Sequence, residues 1–174
     1  MKAFFKEALI TLGLALLIYI LLQFVVQFKP VSGSSMEPTF ASNGDRVIIS
    51  RVIYLFHDPE RGDIITLRPP FKSSRDYIKR VIGLPGETVE IKKGKVYIDG
   101  ELLDEPYVKE SFTYSLAAVT VPTDSYFVLG DNRDISSDSH IWGTLPEKNI
   151  VGKVWICYWP PGMWGLAPNF NFAD

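Results

Sequence analysis

Two regimes of hydrophobic patterning divide this chain. From Ala8 to Phe28 there are 21 residues without a charge, and beyond residue 29 the apolar positions break into short β-branched segments separated by turn residues. A helix over 8–28 would be roughly 31 Å long at about 1.5 Å per residue, the thickness of a bilayer core of about 30 Å. Pro30 disfavours its continuation. After it, Arg46–Ile49, Asp63–Leu67, Tyr77–Ile82, Ser125–Leu129 and Val151–Trp159 read as strands. Thr88–Lys92 and Lys95–Ile98 flank Lys93-Gly94 as a hairpin, and Asp99-Gly100 marks a second tight turn. Between Asp104 and Pro122 the strand signal fades, and the aromatic segment from Trp159 to Gly165 has no period. It suits equally a cover over the core or the headgroup level of a membrane. The predicted fold is mainly β: one N-terminal transmembrane helix, then antiparallel sheets closed into a barrel-like catalytic domain. The expected division is a short cytoplasmic N-terminus at 1–7, the span at 8–28 and an extracytoplasmic domain at 29–174.

A secretory leader that is cut off has an apolar region of about 7–15 residues followed by small residues. Here the run is longer and ends in Gln27-Phe28-Lys29-Pro30, so the segment reads as a retained anchor. Lys2 and Lys6 ahead of the span favour a cytoplasmic amino terminus, against which Lys29 casts a weaker opposing vote.

Composition narrows the function. The 174 residues carry a net charge of −2, which argues against a nucleic-acid partner. One cysteine, Cys157, rules out an intrachain disulfide, and two histidines, His57 and His140, are too few for an ordinary zinc centre. Neither a cofactor nor a metal is expected.

Three segments are dense in reactive groups. Ser32-Gly33-Ser34-Ser35-Met36-Glu37-Pro38-Thr39 lies just past the apolar run, where its composition would also suit a linker. Tyr77-Ile78-Lys79-Arg80-Val81-Ile82 puts two cations side by side in a strand. Their side chains face opposite ways, and both faces are apolar, so periodicity leaves open which one is buried. Chemistry prefers Lys79 as a base, because burial lets lysine lose its proton near neutrality and arginine cannot. The third segment, Gly130 to Gly143, is too polar for a core strand; Asx-turns and an Arg133–Asp pair would explain much of it.

In this order, the anchor, Ser35-Met36-Glu37-Pro38-Thr39, Arg61-Gly62-Asp63, Tyr77-Ile78-Lys79-Arg80 and Gly130-Asp131-Asn132-Arg133-Asp134 resemble the type I signal peptidases over nearly the whole chain. The resemblance implies a membrane-bound serine endopeptidase that removes signal peptides from secretory preproteins. It implies Ser35 as nucleophile, Lys79 as general base, Ser136 orienting the lysine amine and Asp138 bracing the site. Arg61-Gly62-Asp63 looks like the family's strand beside the substrate groove. Gly33 stands where some members carry a serine that helps bind the oxyanion. His140 stands where many members have arginine, which would make an ion pair with Asp138 pH-dependent. Implied partners are signal peptides, the lipid bilayer and, by proximity, the secretion translocon; the implied location is the plasma (inner) membrane, with the catalytic domain outside. Two rivals are a histidine-based hydrolase using Ser35 or Ser139 with His140 or His57, and a tethered β-domain that only binds peptides.

Overall fold

The computed structural model describes residues 2–41, 44–108 and 112–168, with side chains from residue 4 onward. In chain order the elements are α1 (Lys2–Val25), β1 (Val26–Pro30), β2 (Arg46–Ser50), β3 (Ile64–Leu67), β4 (Tyr77–Gly83), β5 (Thr88–Lys92), β6 (Lys95–Ile98) and β7 (Glu101–Leu102). There follow β8 (Leu116–Thr120), β9 (Ser125–Leu129), α2 (Ser139–Trp142), β10 (Leu145–Pro146), β11 (Ile150–Trp159) and β12 (Gly165–Leu166). The chain is mainly β, with one N-terminal apolar helix ahead of a curled antiparallel sheet.

Within α1, Phe4–Val25 is long and apolar enough to cross a membrane, and none of this stretch is buried inside the protein. The helix ends three residues before the apolar run does. Residues 26–30 instead pair with β2, Val26 opposite Ser50 and Pro30 opposite Arg46. The reason is tertiary: a ready strand edge satisfies the backbone groups that a longer helix would have paired internally.

An eight-stranded sheet follows the order β1-β2-β11-β3-β4-β9-β10, with β12 against β11; a four-stranded sheet follows β7-β6-β5-β8. Both expected tight turns form, with Lys93, Gly94, Asp99 and Gly100 all at positive φ. Strand β8 lies where the sequence signal faded. Its burial does not alternate, with Ala117 and Ala118 both exposed, so the strand period is missing and pairing with β5 defines it. The small sheet closes over Ile82, Phe127 and Leu129 of the large one. Met36, Phe40, Val47, Ile49 and Ile64 form a second core beneath β1–β3, and Ile65, Val81, Tyr126 and Val128 belong to a third.

The aromatic segment after β11 does not cover the core. Trp159 and Trp164 are exposed, at 48% and 71%, and Leu166 stands out at 73%. Phe28, just past α1, packs edge-on against Tyr158. The exposed apolar side chains therefore continue from the helix exit across the outer sheet.

Candidate active site

The chain leaves β1 into a turn whose Gly33 has φ +87°, a conformation that favours glycine, although a Cβ there would touch nothing. Met36 and Phe40 are buried in the second core, and the Phe40 N–H donates to the Met36 carbonyl. This pins the turn, leaving Ser35 half-buried at the mouth of a groove of about 620 Å³.

Strand β4 approaches from the opposite side. Lys79 is paired with Ile65 and Arg80 with Ile64, so the two cations enter different cores. Both are buried, an outcome the sequence left open. Lys79 Nζ lies 2.7 Å from Ser35 Oγ. Burial lowers the lysine from 10.5 to about 8, against the opposing pull of Asp138 and then Asp131. Arg80 is fully buried and closes a two-point ion pair with Asp131, Nε to Oδ1 at 2.9 Å and Nη2 to Oδ2 at 2.7 Å. Its guanidinium also donates to the Gly62 carbonyl and sits over the Tyr107 ring.

The loop after β9 joins these parts. The Asn132 N–H donates to the Ser35 carbonyl, the Gly130 N–H donates to Asp138 Oδ2, and Thr39 Oγ1 donates to Asp131. Arg133 donates from Nε to the Gly130 carbonyl and forms a buried two-point pair with Glu105. The partner is thus a glutamate from the segment of weak signal, not one of the loop's own aspartates. Asp138 is fully buried, caps α2, and meets His140 Nδ1 at 2.6 Å through its other oxygen.

Ser136 is buried beside this centre, but its Oγ has no hydrogen-bond partner among the described residues. The expected bond from Ser136 to the lysine amine is therefore not formed here. The hydroxyl faces Gly130 and the Ser35 carbonyl: a Cβ at residue 130 would collide with Ser136 Oγ and come within 2.5 Å of that carbonyl oxygen. Gly130→Ala is expected to push the serine turn off the lysine and lower kcat by about 100-fold, the usual consequence of an ångström of misplacement. Steady-state kinetics on the folded variant would check this, and near-normal turnover would show that the loop does not hold Ser35 in place.

The other anticipated residues are dispersed. Arg61 is away from the Ser35 groove, bonded at two points to Glu87 beside a second cavity that His57 also lines. From the strand it precedes, Thr66 lines the Ser35 groove. Ser139 Oγ accepts from the Val128 N–H, so this hydroxyl is engaged in structure. Sequence reasoning missed Asp131, Thr39, Glu105 and Thr66. A lone buried arginine in β4 implies a carboxylate partner, so Asp131 could have been sought in the polar loop; Glu105 carried no local signal. Among the described residues no group of three or more histidine, cysteine or carboxylate side chains could hold a metal ion.

Comparison with known proteins gives a consistent set of similarities. A family model described as "Signal peptidase, peptidase S26" matches residues 2–159. The chain is 43% identical to a probable signal peptidase I-1 of Synechocystis sp., over 98% of this chain and 90% of that one. It is 40% identical to signal peptidase I of Leptolyngbya laminosa, over 93% and 84%. A crystal structure of a signal peptidase I from Enterococcus faecalis superposes with a TM-score of 0.51 at 35% identity, covering 56% of this chain and 97% of that chain.

Proposed function

This chain belongs to the signal peptidase family, peptidase S26, and is by that membership a protease; from this premise we propose that it is a membrane-anchored serine endopeptidase cutting signal peptides from secretory preproteins with a Ser35–Lys79 dyad. The observation that carries the proposal is the buried lysine amine 2.7 Å from the serine hydroxyl, with burial lowering it to about 8.

Neutral Lys79 takes the Ser35 proton as the oxygen attacks the scissile carbonyl. The resulting ammonium gives the proton to the departing amine, leaving an acyl-enzyme. The same amine then activates water, which attacks the ester carbonyl, releases the signal peptide with a new carboxylate and frees Ser35. Ser–Lys pairs are a recognised variant of serine-hydrolase chemistry. The Ser35 backbone N–H is the proposed oxyanion donor at the Gly33 turn. Ser136, buried next to Gly130, is the proposed orienting hydroxyl, reaching the amine by a rotation about its own χ1. Asp138 braces the loop through the Gly130 N–H. The groove between the Ser35 turn and residues 74–79 would hold an extended peptide with small residues at the first and third positions before the cut.

In this proposal α1 spans the plasma (inner) membrane with its amino terminus in the cytoplasm. The β domain stands on the outer face, near the translocon, with Trp159 and Trp164 at the headgroups. Ser35 follows the helix end by ten residues, which keeps the groove near the point where a signal peptide emerges.

The test uses the full chain in detergent with a preprotein substrate. Wild type should release a mature product with one defined amino terminus, whereas Ser35→Ala and Lys79→Ala release none. His140→Ala should retain cleavage. Because only the neutral amine can accept a proton, kcat/KM should rise as pH increases through about 8 and fall away below it. Cleavage surviving in Lys79→Ala, or lost only in His140→Ala, would refute the dyad. Capture of preprotein by Ser35→Ala with wild-type release of nothing would favour a binding domain.

A further inference from the structure

Side chains cross the active-site groove at two places. One crossing is the contact between Ser35 and Lys79. The other is an ion pair between Lys29, in β1, and Asp76, the residue before β4. All four residues line the same cavity of about 620 Å³. In the sheet order β1-β2-β11-β3-β4, three strands separate β1 from β4. At about 4.8 Å per strand spacing, a flat sheet would hold these two strands roughly 19 Å apart. A lysine and an aspartate side chain together do not reach that far, so the ion pair is a chord across the mouth of a curled sheet. We infer that the Lys29–Asp76 pair is a specificity bar: it closes the groove at the third substrate residue before the cut and disfavours large side chains there.

The position follows from counting along β4. The groove runs from Lys79 back toward Ser74 and takes in no later residue of the strand, so this arm is the one assigned above to residues before the cut. Asp76 precedes Lys79 by three residues, which at about 3.3 Å per residue puts the two crossings roughly 10 Å apart. An extended peptide advances at the same rate. With its scissile carbonyl at Ser35, it meets the ion pair with its third residue. On the opposite wall Lys29 lies six residues before Ser35, and the turn at Gly33 shortens that path.

The paired side chains are 24% and 28% exposed, so they stand at the groove surface and outside the cores. A pair this accessible resists opening by no more than about fivefold in population, which makes the bar selective without being absolute. The inference rests on the peptidase reading and identifies what sets its preference for a small third residue. Selection at the first position belongs to the other end of the groove, beside Ser35.

The experiment compares kcat/KM of the full chain in detergent on preprotein variants. These carry alanine or leucine at the third position before the cut, or alanine or valine at the first. The enzymes are wild type, Lys29→Ala, Asp76→Ala and the exchanged double variant, Lys29→Asp with Asp76→Lys. Wild type should prefer alanine at the third position. Each single variant should lower that alanine-to-leucine ratio by roughly threefold to tenfold, while the first-position ratio stays as in wild type. The exchanged variant rebuilds the bar with its charges reversed, and most of the third-position ratio should return. A pair that only supports the fold would lower every rate together and leave the ratios alone. An unchanged third-position ratio in both single variants, a fall in both ratios together, or an exchanged variant no better than the single ones overturns the inference. Should a variant not fold, wild-type protein serves instead: raising salt from about 0.1 M to about 1 M screens exposed charges and should lower the third-position ratio alone. A third-position ratio indifferent to salt then overturns the inference. Ser35→Ala cutting like wild type would overturn the peptidase reading itself, whereas defined cutting with a third-position ratio indifferent to the pair would overturn only the bar.

Discussion

Lys79→Met is expected to abolish cleavage and, at the same time, to make the folded domain more stable. The loss of turnover should be on the order of 10⁴-fold, because the variant keeps the groove and the Ser35 hydroxyl but has no group to take its proton. The gain in stability comes from the cost of burying an amine. Lys79 is 2% exposed, and its value is lowered from 10.5 to about 8 by burial. Below about pH 8 the lysine is charged in both folded and unfolded chains, so the folded state bears the full penalty, on the order of 3 kcal/mol. Between about 8 and 10.5 the folded protein binds fewer protons than the unfolded chain, so wild-type stability climbs with pH. Above 10.5 both are neutral and the penalty is gone. Methionine has similar length, fills the same apolar channel and carries no charge to bury. Its advantage should therefore be largest near neutral pH, shrink between about 8 and 10.5 and vanish above. Denaturant titrations of both proteins at several pH values would measure it. A Lys79→Met variant that is weaker than wild type at neutral pH, or an advantage that ignores pH, would mean the amine is not held dry as the site requires.

The neighbouring cation leads to the opposite expectation. Asp131→Ala should destabilise the domain by about 3–5 kcal/mol, the range for removing one member of a buried ion pair. Arg80 has no exposed surface, and arginine cannot escape by shedding its proton as lysine does. Its remaining donors to the Gly62 and Pro168 carbonyls, and the Tyr107 ring beneath it, stabilise the plane but not the net charge. Asp131 also accepts from Thr39, four residues past the nucleophile, so its loss should loosen the Ser35 turn and lower kcat as well. Replacing both partners, Arg80→Met with Asp131→Leu, should recover most of the stability, since an apolar pair of similar volume avoids both desolvation costs. Chemical unfolding of the single and double variants is the check. A single variant as stable as wild type would show that the guanidinium is solvated in the folded protein.

Lys79 and Arg80 are adjacent in sequence and differ in fate, which locates the boundary between what local reading and folding decide. The apolar run, the paired segments around Lys93-Gly94 and Asp99-Gly100, and the order of five motifs were legible because each depends on neighbours within a few residues. The same holds for the preference for Lys79 over Arg80 as a base, since it is a property of the side chains themselves. Periodicity placed the two cations on opposite faces of β4; it had no means of knowing that both faces are interior.

Other features belong to contacts distant along the chain. The helix stops at Val25 because β2 offers residues 26–30 a pairing partner. Strand β8 exists because β5 has a free edge, although Leu116–Thr120 has too few buried positions to announce itself. Arg133 chose Glu105 over nearer aspartates because the small sheet brings that glutamate into the same buried space. The resemblance puts Ser136 at the lysine amine, whereas its hydroxyl lies beside Gly130 with no hydrogen-bond partner among the described residues, a matter of rotamer and loop path. The sequence by itself thus determined the chemical inventory and the local elements: a span, β-strands, a serine and a lysine suited to one another. Only the tertiary structure decided that Ser35 and Lys79, 44 residues apart, meet at 2.7 Å, and which carboxylate answers which cation. The physical reason is that burial and sheet pairing are properties of surfaces assembled from the whole chain, while propensity and side-chain chemistry are carried by each short segment alone.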